Sequence, residues 1–198
     1  MSHAATHAAG NAEEGMGVYT QKLGMWVFLC SEVMFFTALI GSYIILRWGS
    51  AESWPVPAQT LNIWVTAANT FILICSSVSM VKAYVAAVHD DQPGLKRWLL
   101  TTVAGGATFV GVQAYEYTHL IEKGFLPSSG LFGSTFYTMT GFHGFHVTCG
   151  VISMAYCTIR AFQGKYAGGK FHGIETLGLY WHFVDLVWII LFTIVYLF

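Results

Sequence analysis

Long apolar runs alternate with short polar breaks along the chain, and the runs are too long for a soluble fold. They predict five helices at about 24–47, 61–88, 97–121, 133–160 and 176–198. Breakers fall between them: Trp54-Pro-Val-Pro57, Asp90-Asp-Gln-Pro-Gly94, Pro127-Ser-Ser-Gly130, and Gly164 with Gly168-Gly169. Each run is long enough to cross a hydrocarbon core of about 30 Å at about 1.5 Å per residue. The expected fold is therefore all-α, a polytopic transmembrane bundle of five helices over residues 24–198. Residues 1–23 are polar, carry no apolar core and no Arg, and read as a flexible tail rather than a signal or transit peptide. Loops this short leave no room for a soluble catalytic domain, and no internal repeat of the transporter kind is visible.

Composition agrees. Of 198 residues, 55% are hydrophobic and 10% are charged, with a mean hydropathy of +0.57. Soluble domains carry about 25% charged residues. A net charge of −1 argues against nucleic-acid binding. The four cysteines, Cys30, Cys75, Cys149 and Cys157, all lie in apolar runs without a CxxC spacing and read as small hydrophobes.

Charge also orients the bundle. With five spans, the N-terminus and the second and fourth loops share one side. Lys22, Lys82, Lys96, Arg97, Arg160, Lys165 and Lys170 fall there, whereas the other side has Arg47 and Lys123. Positive residues stay inside, so the N-terminus is expected in the cytoplasm.

Polar groups within the runs are the candidates for chemistry. Glu32 lies inside the uncharged stretch Gly24–Leu46, about 12 Å along it at 1.5 Å per residue. A charge at such a depth costs roughly 2.5 kcal/mol or more, so a chain that keeps it protonates it, pairs it or uses it. Glu32 is the only Asp, Glu, Lys, Arg or His between Gly24 and Leu46. Gln113 and Glu116 are three apart, as are His143 and His146. Glu175, His182 and Asp185 share one face of the last helix at spacings of seven and three. Three readings compete for these groups: a metal or haem site built on His143, His146, His182 and Asp185, a proton-handling set, and hydrogen bonds that tie helices together. A di-iron bundle needs a Glu-x-x-His on each of two helices, and the chain has one, Glu116-Tyr-Thr-His119, which weakens the first. Packing is the stronger reading for most of the groups, with Glu32 the exception.

Four motifs point to a family. Trp26–Phe36 with its Ser-Glu-Val-Met-Phe-Phe core, Gln113-Ala-Tyr-Glu-Tyr117, Gly133-Ser-Thr-Phe-Tyr137 with Thr140-Gly-Phe-His-Gly-Phe-His-Val147, and Leu179-Tyr-Trp-His-Phe-Val-Asp-Leu-Val-Trp188 resemble haem-copper cytochrome c oxidase subunit III in its short five-helix bacterial form. The resemblance covers residues 24–198. It implies an accessory core subunit of a proton-pumping terminal oxidase in the bacterial inner membrane, supporting complex stability and proton uptake. It further implies direct contact with subunit I, association with subunit II and other subunits, bound phospholipid, and no catalytic residue, metal or redox centre in this chain, the haem and copper residing in the partners. Glu32 matches the family's buried carboxylate and is expected to be neutral. Gln113, Glu116, His143, His146, Glu175, His182 and Asp185 match its internal polar positions. Subunit III of a quinol oxidase, an accessory subunit of a nitric oxide reductase, and an independent proton channel or transporter are the alternatives at this point.

Overall fold

The computed structural model describes residues 19–50, 54, 61–168 and 171–197. These form five long helices: α1 (Thr20–Gly49), α2 (Ile63–Val88), α3 (Gln92–Glu122), α4 (Leu131–Phe162) and α5 (His172–Phe192), the last continued by a π-helical turn, Thr193–Leu197. No strand occurs among the described residues. Four of the helices, α1, α2, α4 and α5, are long and apolar enough to cross a membrane. Although α3 is longer than α2, it is less apolar, because Lys96, Arg97, Gln113, Glu116 and several Thr and Gly interrupt it. Chain hydroxyls do not burden the spans: Thr102, Thr108, Thr148 and Thr158 each donate to the carbonyl four residues back.

Local chemistry sets the turns. Between α2 and α3 the Asp91 side chain accepts from the Gly94 N–H at 3.1 Å, and Pro93 sits in the first helical turn, where its missing N–H costs nothing. Gly130, with φ of 123°, opens α4 in a conformation other residues resist. Tyr137 then reaches back from α4 to donate to the Phe125 carbonyl at 2.8 Å.

The core lies among α2, α3, α4 and α5, with α2 and α3 the most extensively packed pair. Trp181 and Trp188, seven residues apart on α5, are its largest fully buried side chains. The Trp181 ring fills a slot lined by two glycines. A Cβ at Gly106 would lie 2.7 Å from the ring, and one at Gly150 2.8 Å. The indole N–H of Trp181 donates to Ser76 Oγ at 3.2 Å, and that of Trp188 to Thr70 Oγ1 at 2.8 Å. A third glycine contact, Gly105 against Ser76, brings α3 close to α2. The Thr140-Gly144-Thr148 stripe behaves differently. It borders a groove beside α3, and Gly144 faces open space.

By contrast, α1 is peripheral. Its buried residues, Leu29, Phe36 and Tyr43, are spaced by seven and form one narrow seam against α4 and α5. The helix begins four residues before the expected start. Tyr19 and Lys22, assigned to the flexible tail by sequence, are tied to the beginning of α5, so the tail expected over 1–23 does not extend to them. The rest of that tail, residues 1–18, lies outside the described residues.

Candidate functional site

Glu32 lies on the α1 seam between Leu29 and Phe36, and it is not alone. Its Oε2 is 3.0 Å from Nε2 of His146 on α4. The other ring nitrogen, Nδ1, lies 2.7 Å from the Phe142 carbonyl one turn back. A carbonyl can only accept, so Nδ1 carries a hydrogen. The Nε2–Oε2 contact therefore holds one proton, on the imidazole as an ion pair or on the carboxyl as a neutral pair. Both side chains are mostly buried, at 16% and 13% exposure. Phe36 packs its edge against the His146 ring, with centroids 5.2 Å apart. The expectation of a Glu32 that stands alone is thus replaced by a carboxyl–imidazole pair across two helices.

His143, one turn before His146, points elsewhere. It is fully buried, stacked on Trp188 at 4.8 Å and edge-on to Phe109 at 6.0 Å. Neither of its ring nitrogens has a hydrogen-bond partner among the described residues. His182 turns to α2, where Ser77 Oγ lies 2.6 Å from its Nδ1. Asp185 is buried nearby on α5, with Oδ1 unpartnered among the described residues. The three imidazoles thus face three different neighbours, and no group of three or more His, Cys, Asp or Glu gathers among the described residues. The joint ligand set of His143, His146, His182 and Asp185 is not assembled in this fold.

Gln113 and Glu116 also separate. Gln113 Nε2 donates to the Tyr117 hydroxyl at 3.4 Å, which lies 2.6 Å from Thr140 Oγ1. The Thr140 hydroxyl donates to the Phe136 carbonyl at 2.6 Å, so the tyrosine must donate to the threonine. This directional chain ties α3 to α4. Glu116 instead accepts from Thr66 of α2 at 2.7 Å.

Glu175 makes a second polar link to α1. Its Oε1 pairs with Lys22 Nζ at 2.5 Å, and its Oε2 accepts from the Tyr19 hydroxyl at 3.1 Å. Tyr19 also lies 2.9 Å from the His172 carbonyl. Desolvation raises the pKa of the Tyr19 phenol above its ordinary value. The helix α1 is therefore fastened by polar contacts at its start and at its middle. Sequence reading missed Tyr19, Lys22, Ser77, Thr66 and Thr70. Only the last four carried a signal, as polar residues in or beside apolar runs.

Comparison with known proteins decides the family. The family model described as cytochrome c oxidase subunit III matches residues 6–198. The chain belongs to the cytochrome c oxidase subunit III family. It is 40% identical over 174 residues to the probable cytochrome c oxidase subunit 3 of Mycobacterium tuberculosis, covering 88% of this chain and 86% of that one. It is 41% identical over 176 residues to the cytochrome c oxidase subunit 3 of Thermostichus vulcanus, at 88% and 86% coverage. Against the Synechocystis protein of that name, identity is 42% over 177 residues, at 88% and 74%. Members of the subunit III family are accessory subunits of haem-copper oxidases. With its apolar helices, that membership makes the chain an integral membrane protein of an oxidoreductase complex.

Proposed function

We propose that this chain is the non-catalytic subunit III of a terminal oxidase that reduces dioxygen to water with electrons from cytochrome c. It spans the bacterial inner membrane five times, with α3 as the fifth span and the N-terminus in the cytoplasm. Seven of nine basic residues on one side support that orientation. A bundle whose α3 is packed between α2 and α4 supports the fifth span, because a shielded helix tolerates polar residues that a lipid-facing one does not. Haem and copper belong to the partner subunits. This chain docks directly beside subunit I, in one assembly with subunit II, and phospholipid fills its outer grooves.

One observation carries the functional reading: Glu32 Oε2 lies 3.0 Å from His146 Nε2 on a narrow helix seam, a contact suited to holding one proton. In the proposed orientation it lies in the cytoplasmic half, from which an oxidase draws its protons. Glu32 and His146 hand one proton between Oε2 and Nε2, while the Nδ1–H bond to Phe142 fixes the ring in place. Such a pair takes up and releases a proton without a large movement of either helix.

Purification of the tagged full-length chain from its membrane tests the assignment. A multi-haem subunit and a copper-binding subunit are expected to come with it, and the separated chain is expected to lack haem absorbance. Stoichiometric haem on the separated chain, or partners without copper, would overturn it. Within the complex, Glu32→Gln is expected to preserve assembly and slow proton uptake.

A further inference from the structure

One face of α3 is built differently from the outer surface of its neighbour α2. None of the chain's exposed large apolar side chains lies between residues 101 and 114. Over a comparable length of α2, residues 71–85, five are exposed: Phe71, Ile74, Val78, Val81 and Val85. In their place α3 exposes Ala104, Ala107, Gly111, Ala114 and Thr118. Successive spacings of three, four, three and four keep these residues on one face, over about 21 Å at 1.5 Å per residue. Small residues let two helix backbones approach closely, and interfaces between membrane helices are enriched in them.

The stripe runs into the groove between α3 and α4, of about 180 Å³. Ala114 belongs to both, and Gly141, Gly144 and Thr148 line the α4 side. A Cβ at Gly111 or at Gly144 would meet nothing within 4 Å. On this groove lies an acceptor without a donor. Gln113 is 7% exposed, and its Oε1 has no hydrogen-bond partner among the described residues. Its Nε2 contact with Tyr117, at 3.4 Å, is at the long limit of a hydrogen bond, so the amide is free to turn toward a donor in the groove. A hydrocarbon tail offers no donor, and an unpaired carbonyl in that medium is costly.

Charge at the two ends of the stripe narrows the occupant. Arg97, seven residues before Ala104, is exposed and has no ion-pair partner among the described residues. Glu122, four residues beyond Thr118, is exposed too, at 78%, with His119 Nδ1 3.9 Å away. A second copy of this chain, inserted the same way round, would set Arg97 beside Arg97 and Glu122 beside Glu122. The complementary partner is a helix with an acid opposite Arg97 and a base opposite Glu122.

We propose that the α3 face and its groove seat a transmembrane helix of a different chain. That helix carries small residues at matching spacings, an O–H or N–H donor level with Gln113, an acidic residue near Arg97 and a basic one near Glu122. Of the outer grooves, this one is filled by protein instead of lipid. The inference rests on the reading that α3 crosses the bilayer.

The test is site-specific photo-crosslinking in the native membrane. A diazirine-bearing amino acid replaces Ala107 in the tagged full-length chain, and Val78 of α2 in a reference chain, and the crosslinked products are sequenced by mass spectrometry. Position 107 is expected to mark one transmembrane peptide with the four stated features, and position 78 to mark lipid. Gly111→Leu, at a position where a Cβ meets open space, is expected to lower the first crosslink about tenfold without lowering the unfolding temperature of the separated chain. Arg97→Glu is expected to weaken it, and a Lys in place of the partner's acid to restore it. Lipid alone at position 107, a second copy of this chain, or a peptide without those features overturns the proposal. The crosslink at position 107 decides even if Gly111→Leu disturbs the fold. Lipid alone there, in a chain that still co-purifies with a multi-haem subunit, refutes the helix site and leaves the oxidase assignment standing. No lipid at position 78 removes the reading of the spans and the proposal with it.

Discussion

Glu32 of α1 and His146 of α4 share one proton across a 3.0 Å contact, and the Phe142 carbonyl fixes which ring nitrogen takes part. Removing one partner leaves the other partly desolvated without its bond. Glu32→Ala and His146→Ala are each expected to destabilise the chain by about 1–3 kcal/mol. The double substitution is expected to cost less than the sum. A double-mutant cycle on thermal unfolding in detergent measures the difference, and additive effects would show that the two groups act separately.

Lys22 and Glu175 fasten the start of α1 to α5, and both remain partly exposed, at 28% and 18%. Solvent screening keeps the pair weak. Its loss is expected to be local rather than global. Lys22→Met should speed amide hydrogen exchange over the first two turns of α1 and leave the exchange of α2 and α3 unchanged. The charge swap Lys22→Glu with Glu175→Lys should restore protection. Faster exchange throughout the bundle would mean that the link has a wider role.

The Trp181 slot is closed by Gly106 and Gly150. Gly150→Ala would place a methyl 2.8 Å from one edge of the indole, and Gly106→Ala one 2.7 Å from the other. A ring of this size cannot withdraw by bending a single bond. Each substitution is expected to cost about 1–3 kcal/mol through overpacking, read as a lower unfolding temperature. Gly111→Ala meets open space and is expected to be neutral.

His143 supplies a contrasting case. Its imidazole is fully buried against Trp188 and Phe109, with both nitrogens unpartnered among the described residues. Burying such a group costs about 1–3 kcal/mol. His143→Leu is therefore expected to hold or raise stability. If oxidase turnover falls while stability rises, the histidine serves the complex and not the fold. A loss of stability would instead show that the ring is hydrogen-bonded in the membrane.

The five helices and the breaks between them were legible in the sequence to within a few residues, because apolar run length is a one-dimensional property. The sites were less so. At about 3.6 residues per turn, two positions three apart differ by roughly 60° around a helix. That angle suffices to turn His143 into the core and His146 toward α1, and to turn Gln113 to Tyr117 and Glu116 to Thr66 of α2. Spacing alone groups such pairs on one face, and only the neighbouring helices separate them. The early start of α1 was hidden for a related reason: Tyr19 and Lys22 are held by residues more than 150 positions away.

The narrow α1 seam also has a consequence for biogenesis. Glu32 enters the membrane with α1, while its partner lies 114 residues further along (146 minus 32). At about 5–20 residues per second, the ribosome needs roughly 6–23 s to deliver His146. Throughout that interval the nascent α1 carries a carboxyl group without its His146 partner. Its stable lodging waits on α4 and α5, which makes their arrival, rather than insertion of α1, the step that commits this subunit to its fold.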